Sequence, residues 1–483
     1  MARVLTSLLA VACLFGGFVF AEEPDLTTPD PVVQFWNNIM KHPFEGTGLF
    51  QDDTTFGYMM NHMELGVYMR TRYEDTEIRQ VQRLFGPSAV APNALNLDRY
   101  GDEWSDWVST RGMFSMLVPL TQDVRFFVEL INLNVIGDNG RFKRITDPSD
   151  STVIDNKDAA IHNPELDFYQ AYGEWDNFIT RGMVIKVGRF EMNYGEGWIM
   201  SNQPFYSGLS FDAAKVSVKT EQTTVDFFAA EVSPIYKPAG PTYPRIYGAY
   251  CSYTVEQTTV LDVFGFYSSD EMSKEAMDTK SDFVDESRYT VGSRLHGNLL
   301  PDVDYSLDGA YQFGQTGAAL ANARRHDDVN AYAVQGGIGK TFQEAAWTPR
   351  FGAKAAYASG ENNPTDRDND AYNPLYRNLH ALNGYADAVK FSNLIDYALE
   401  ASVKPYDRLT LGTEGHVFYF ANRPANTSSK LAKEWDLFAR IKATDQFAIE
   451  AAYAMFVQDE AFRDQTGKRE HNQRMYINLE YSF

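Results

Sequence analysis

The sequence predicts an all-β protein: a transmembrane antiparallel β-barrel of about eighteen strands, with short periplasmic turns and long extracellular loops. Three observations lead there. Segments of about ten residues alternate polar and apolar through most of the chain. The connections between them alternate short and long. The last segment ends on a terminal aromatic residue, Phe483.

Composition agrees. The chain has 483 residues, a formal charge of −22, 28 Tyr and 33 Phe. After the N-terminus no apolar run reaches the ~18 residues that a membrane helix needs. Alternating strands reconcile abundant aromatics with low mean hydropathy. The acidic balance argues against a nucleic-acid partner, because phosphate binding wants a basic field.

The N-terminus reads as a signal peptide over residues 1–21. Arg3 opens it, residues 4–20 are almost wholly apolar, and Val19 and Ala21 put small residues before Glu22. Lipidation at Cys13 fits less well, because Ala10 stands where Leu is usual and apolar residues continue past the cysteine. Cys251 then stands alone, so the mature chain has no intramolecular disulfide. Residues 22–56 are Pro-rich and lack alternation. They read as a periplasmic N-terminal segment with a short helix around 32–40. The barrel occupies 57–483.

The first strand shows the pattern. Leu65, Val67, Met69, Thr71 and Tyr73 share one face, and Glu64, Tyr68, Arg70, Arg72 and Glu74 share the other. Further strands are expected at 107–120, 123–134, 165–175, 182–190, 209–221, 223–232, 245–254, 258–268 and 288–299. The rest fall at 302–312, 330–342, 348–359, 394–405, 408–420, 434–444, 446–457 and 474–483. Closure removes exposed strand edges and satisfies the backbone within lipid. Tight turns fall at 121–122, 256–257, 300–301, 406–407 and 445. Long loops, which carry much of the acid, fall at 137–164, 234–244, 269–287, 360–393, 422–433 and 458–472.

In the last strand Met475, Ile477, Leu479, Tyr481 and Phe483 share the apolar face. This ending resembles the signal read by the bacterial barrel-assembly machinery, which with outer-membrane lipid is an expected partner. The expected location is the outer membrane of a Gram-negative-type envelope.

Several stretches resemble the alginate-export family of outer-membrane barrels. One is Val187, Gly188, Arg189 and Phe190 with Tyr194 and Gly195, followed by Phe211, Asp212, Ala213, Ala214 and Lys215. Another is Asn373, Pro374, Leu375 and Tyr376, then His380, Gly384, Asp387 and Asn393 to Asp396. The strands with Arg70 to Glu74 and with Gln170 to Tyr172 also fit. The resemblance implies an eighteen-stranded barrel that passes a substrate across the outer membrane, for some members an anionic polysaccharide. Periplasmic export components would be further partners. Phe190 stands where the family has Gln, and Ala213, Ala214 and Lys215 replace Gly, Val and Arg.

A pore selects by width and by the charges that line it. Strand parity places Arg70, Arg72, Arg111, Arg125, Lys186, Arg189, Lys215, Lys219, Arg294 and Arg350 on the lumen wall, with Lys354, Arg440 and Arg474 beside them. Lys186 and Arg189 have opposite parity, so one of the two is placed by the family block. Inward acids include Glu64, Glu129, Asp304, Asp308, Glu400, Glu414, Asp436 and Glu480. Arg presents a fork that suits carboxylates. The expectation is a channel or exporter for anionic or polyhydroxylated solutes, a polysaccharide among them. The alternatives are a structural or adhesive barrel with a plugged lumen, or a barrel-wall enzyme. The enzyme lacks support, since His296 and His416 lie near no nucleophile pair. No cofactor is expected. Asp366, Asp368 and Asp370 lack the Gly and bidentate Glu of a calcium loop, so no metal is expected either.

Overall fold

A computed structural model describes residues 54–77, 105–136, 166–205, 208–233, 245–256, 258–270, 286–320, 323–361, 368–467 and 469–483, with Met40 and Pro43. The expected signal peptide, the helix at 32–40 apart from Met40, and the loops at 137–164, 234–244 and 271–285 lie outside these residues.

A short helix, α1 (Thr55–Asn61), capped by the Thr54 side chain, leads into the wall. The strands follow in chain order: β1 (Glu64–Glu77), β2 (Ser105–Pro119), β3 (Val124–Ile136), β4 (Asp167–Asp176), β5 (Met183–Phe190) and β6 (Phe211–Lys219). Next come β7 (Thr223–Val232), β8 (Arg245–Glu256), β9 (Thr259–Asp270), β10 (Glu286–Leu300), β11 (Val303–Leu320) and β12 (Ala323–Thr341). The last six are β13 (Arg350–Ala358), β14 (Leu394–Tyr406), β15 (Leu409–Phe420), β16 (Lys430–Lys442), β17 (Phe447–Gln458) and β18 (His471–Ser482). Each pairs antiparallel with its neighbour, and β18 pairs with β1, so eighteen strands close a barrel. All eighteen expected segments are strands.

Alternation explains the wall. Outward positions such as Phe126, Val187, Tyr289, Leu307, Leu399 and Trp435 are apolar and exposed. Tyr247, Tyr267, Tyr289 and Phe313 sit opposite one another on β8–β11. Their rings follow at 6.1, 4.9 and 5.1 Å and make part of an aromatic girdle. Inward positions such as Arg70, Glu74, Asp226, Asp308, Glu414 and Asn478 are polar and buried. At the seam, Phe483 donates its amide to the Val67 carbonyl at 2.9 Å.

One hairpin exceeds its expected length. β11 and β12 run on to Leu320 and Ala323, past the expected limits of 312 and 330. Pairing continues through Gln315 opposite Asp328 and Thr316 opposite Asp327. Beyond the bilayer the outer face meets water, so the ladder persists after the alternation that marks a lipid-facing strand has ended.

Candidate functional site

Two connections fold into the barrel, through their described residues 191–205 with 208–210 and 359–361 with 368–393. The first, residues 191–210 between β5 and β6, buries Met192, Tyr194, Trp198, Ile199, Met200, Phe205 and Leu209. The second, residues 359–393 between β13 and β14, buries Tyr372, Leu379, Tyr385, Ala386, Val389 and Phe391. It carries the one-turn helix α2 (Leu379–Leu382), capped by Asn378. The loops meet inside. Ser201 donates its amide to the Tyr376 carbonyl at 2.9 Å, and Asn378 donates to the Gly197 carbonyl at 2.8 Å. Gln203 donates its side-chain amide to the carbonyls of Tyr376 and Arg377, at 3.0 and 2.9 Å.

Charged wall residues hold the loops. Arg70 donates to the Pro204 carbonyl at 2.7 Å, and Arg72 donates to that of Phe205 while pairing with Glu74 at 2.5 Å. The Phe205 ring stacks on His380, with centroids 3.4 Å apart, and lies 4.1 Å from the Arg72 guanidinium. His380 contacts Asp387 at 3.0 Å, and Asp387 also pairs with Arg474. Gly384 adopts φ +91°, where a side chain would press on the Glu434 carboxylate. The turn it makes lets Tyr385 and Ala386 donate their amides to Asp436 (3.3 Å) and Glu434 (2.7 Å). Arg377 is wholly enclosed, bonds Asn383 and Gln335 at 2.9 Å each, and lies over the Phe391 ring. Buried charges persist only with such partners.

The expected lumen cations divide into groups. Arg70, Arg72, Arg111 and Arg294 face inward and are buried. Arg111 lies over the Tyr169 ring and bonds the Met113 sulfur, and Arg294 reaches Glu196 of the first loop at 2.5 Å. Three of these four, Arg70, Arg72 and Arg294, hold the first inward loop. Arg125, Lys186, Lys215 and Arg350 face the lumen with their heads partly exposed, each beside carboxylates. Arg125 pairs with Glu174 and Asp176, Lys186 with Glu174 at 3.1 Å, Lys215 with Asp226 at 3.2 Å, and Arg350 with Asp304 and Glu400. Lys219 is exposed at the periplasmic end of β6.

Arg189 is a correction. It sits opposite Ala171 and Asp212, two residues from the outward Val187, so it faces away from the lumen. Asp212 neutralises it through bonds of 2.6 and 3.0 Å. Parity was the sound guide and the family block was not. The ion pairs and the inward loops were not visible in the sequence, because cross-strand register sets the first and contacts distant in sequence set the second. One signal was available: Trp198, Ile199 and Met200 are too apolar for a loop in water.

Below the loops a recess of about 370 Å³ opens in the wall of β10–β14. Arg294, His296, Asp304, Arg350, Lys354 and Glu400 line it, and Gly195, Glu196 and Leu382 of the two loops border it. Lys354 pairs with Glu400 at 2.8 Å and with Glu414 at 3.1 Å. Among the described residues no cluster of His, Cys, Asp and Glu is arranged to hold a metal.

The sequence model of the alginate export family matches residues 120–476. The chain belongs to the alginate export family. No curated protein matches it. Its fold is also that of solved Pseudomonas porins. OpdK of Pseudomonas aeruginosa, solved with vanillate, superposes with a TM-score of 0.56 at 8% identity, over 87% of this chain and 98% of that one. A BenF-like porin of Pseudomonas fluorescens Pf-5 gives 0.53 at 11% identity, over 87% and 99%. OccK11 (OpdR) of Pseudomonas aeruginosa gives 0.52 at 11%, over 87% and 96%. As an alginate export family member with a closed eighteen-strand wall, the chain is an outer-membrane barrel of the channel class.

Proposed function

We propose that this barrel passes small anionic or polyhydroxylated solutes, sugar units or a polysaccharide among them, through a lumen narrowed by its two inward loops. The observation that carries the reading is the lumen beneath those loops. Its wall offers paired donors and acceptors, in Arg350, Lys354, Asp304 and Glu400, with partly exposed heads. Such a wall replaces the hydration shell of a polar solute while repelling apolar ones. Alginate, which names the family, is an anionic polysaccharide, and vanillate in OpdK is a carboxylate; both support the anionic part of the reading. Outer-membrane lipid, the barrel-assembly machinery and periplasmic export components are its partners in this account.

A second reading is a structural barrel whose loops plug the lumen, favoured by the contacts that Ser201 and Gln203 make across it. Planar-bilayer recording separates the two. Discrete conductance steps with neutral or anion-leaning selectivity fit the channel. Silence fits the plug, and strong cation preference contradicts the proposed solute class.

A further inference from the structure

The recess under the loops has a composition that selects among those solutes. We propose that it is a binding site for a neutral saccharide, reached from the periplasmic side; this rests on the channel reading above and narrows its solute class.

Charge balance is the first argument. Each cation in the recess already touches a carboxylate: Arg294 touches Asp308 at 2.9 Å, Arg350 touches Asp304 and Glu400, and Lys354 touches Glu400 and Glu414. An incoming anion must displace one of those carboxylates, and an incoming cation must displace a guanidinium or ammonium. A hydroxyl displaces neither. It donates to a carboxylate lone pair left over from the ion pair and accepts from a remaining N–H. Side chains of Arg350, Lys354, Glu400 and Asp304 are 30, 38, 23 and 48% exposed, so these groups are within a solute's reach.

Shape is the second argument. Gly337, Gly339 and Gly352 face inward here, opposite Lys354, opposite each other and opposite Glu400. The Arg350 guanidinium lies over Gly339 and the Glu400 carboxylate over Gly352, so the pair spreads flat on bare backbone. A flat polar floor suits the hydroxyl-bearing edge of a sugar ring, and the volume falls in the range of small-molecule sites.

Sidedness is the third. Residues 195–196 and 382 of the inward loops stand on one side of the recess. Asp304 and Arg350 lie at the turn-proximal ends of β11 and β13, near the periplasmic rim. A sugar therefore arrives from the rim with the short turns.

The test uses the full barrel and raffinose, a neutral trisaccharide, added to each side of a planar bilayer in turn. The Gly337→Leu variant fills the recess without changing its charge, because a Cβ at Gly337 meets only ordinary contacts, the nearest at 3.5 Å. The proposal expects raffinose to interrupt the wild-type current from one side only, and the variant to weaken that block by about tenfold or more. Equal block from both sides, block unchanged in Gly337→Leu, or block by galacturonate with raffinose silent overturns it. Calorimetric titration of the detergent-solubilised barrel with raffinose reads the same site without current. Binding that Gly337→Leu weakens about tenfold supports the site even if the barrel never conducts, which would remove only the channel reading. No raffinose binding to the wild type overturns the site even if the barrel does conduct.

Discussion

The Arg474 guanidinium lies 2.8 Å from the Glu74 carboxylate, across the seam where the last strand closes on the first. Both are almost fully buried, and Arg474 also reaches Asp387 of the second inward loop. One cation therefore joins barrel closure to the constriction. Removing one partner of such a buried pair costs about 3–5 kcal/mol, because the other charge is left enclosed and uncompensated. Arg474→Ala is expected to lower the denaturant midpoint of the folded barrel and to make its current noisier. An unchanged midpoint in a gel-shift unfolding assay would show that the seam does not depend on this pair.

Phe205 is the apolar centre of the latch, stacked on His380 and flanked by Arg72 and Arg474. Truncating a buried Phe costs about 3–5 kcal/mol, here charged to the loop contact. Phe205→Ala is expected to raise single-channel conductance by about twofold as the constriction loosens, while wall strand content stays constant. Conductance at the wild-type level with intact circular dichroism would count against the loops as the narrow point.

Arg189 and Arg350 make a paired test of facing. Arg350 lines the lumen beside Asp304 and Glu400, and Arg189 faces outward against Asp212. Arg350→Ala leaves Asp304 without its cation and Glu400 with Lys354 alone, so the reversal potential should move toward cations. Arg189→Ala should leave it where it was. A shift with Arg189→Ala as large as with Arg350→Ala would reverse the assignment.

Outside the membrane, the 421–429 connection docks on the helix α3 (Glu460–Thr466). The Ser428 amide donates to Asp464 at 2.9 Å, and the Ser428 hydroxyl donates to Glu460 at 3.1 Å. These bonds hold both carboxyls below their ordinary values, with the Ser428 contact the largest cause in each. A depressed folded-state pKa gives stability that is present above the ordinary value, about 4, and is lost as pH falls through the depressed one. Protection of the Ser428 amide against hydrogen exchange should therefore hold at neutral pH and fade in acid. Equal protection factors at both ends would exclude the linkage.

The wall was legible because lipid imposes a rule on every second residue. Met475, Ile477, Leu479, Tyr481 and Phe483 announce β18 with no knowledge of its partners. The inward loops obey no such rule. Their positions follow from contacts between residues far apart in sequence, such as Arg70 with Pro204 and Arg377 with Gln335, and no local pattern carries those. Facing was legible from parity for Arg70, Arg72, Arg111, Arg125, Lys186, Lys215, Arg294 and Arg350. What each cation does was not, since a guanidinium that grips a carbonyl and one that meets a solute look alike in a strand.

The central claim is a channel narrowed by loops that the wall arginines hold in place. Single-channel recording of the purified barrel beside Arg72→Ala tests it most directly, because Arg72 bonds Phe205, pairs with Glu74 and faces no open space. The account predicts discrete wild-type steps and larger steps in the variant. A silent wild type, or identical steps in both, would contradict it.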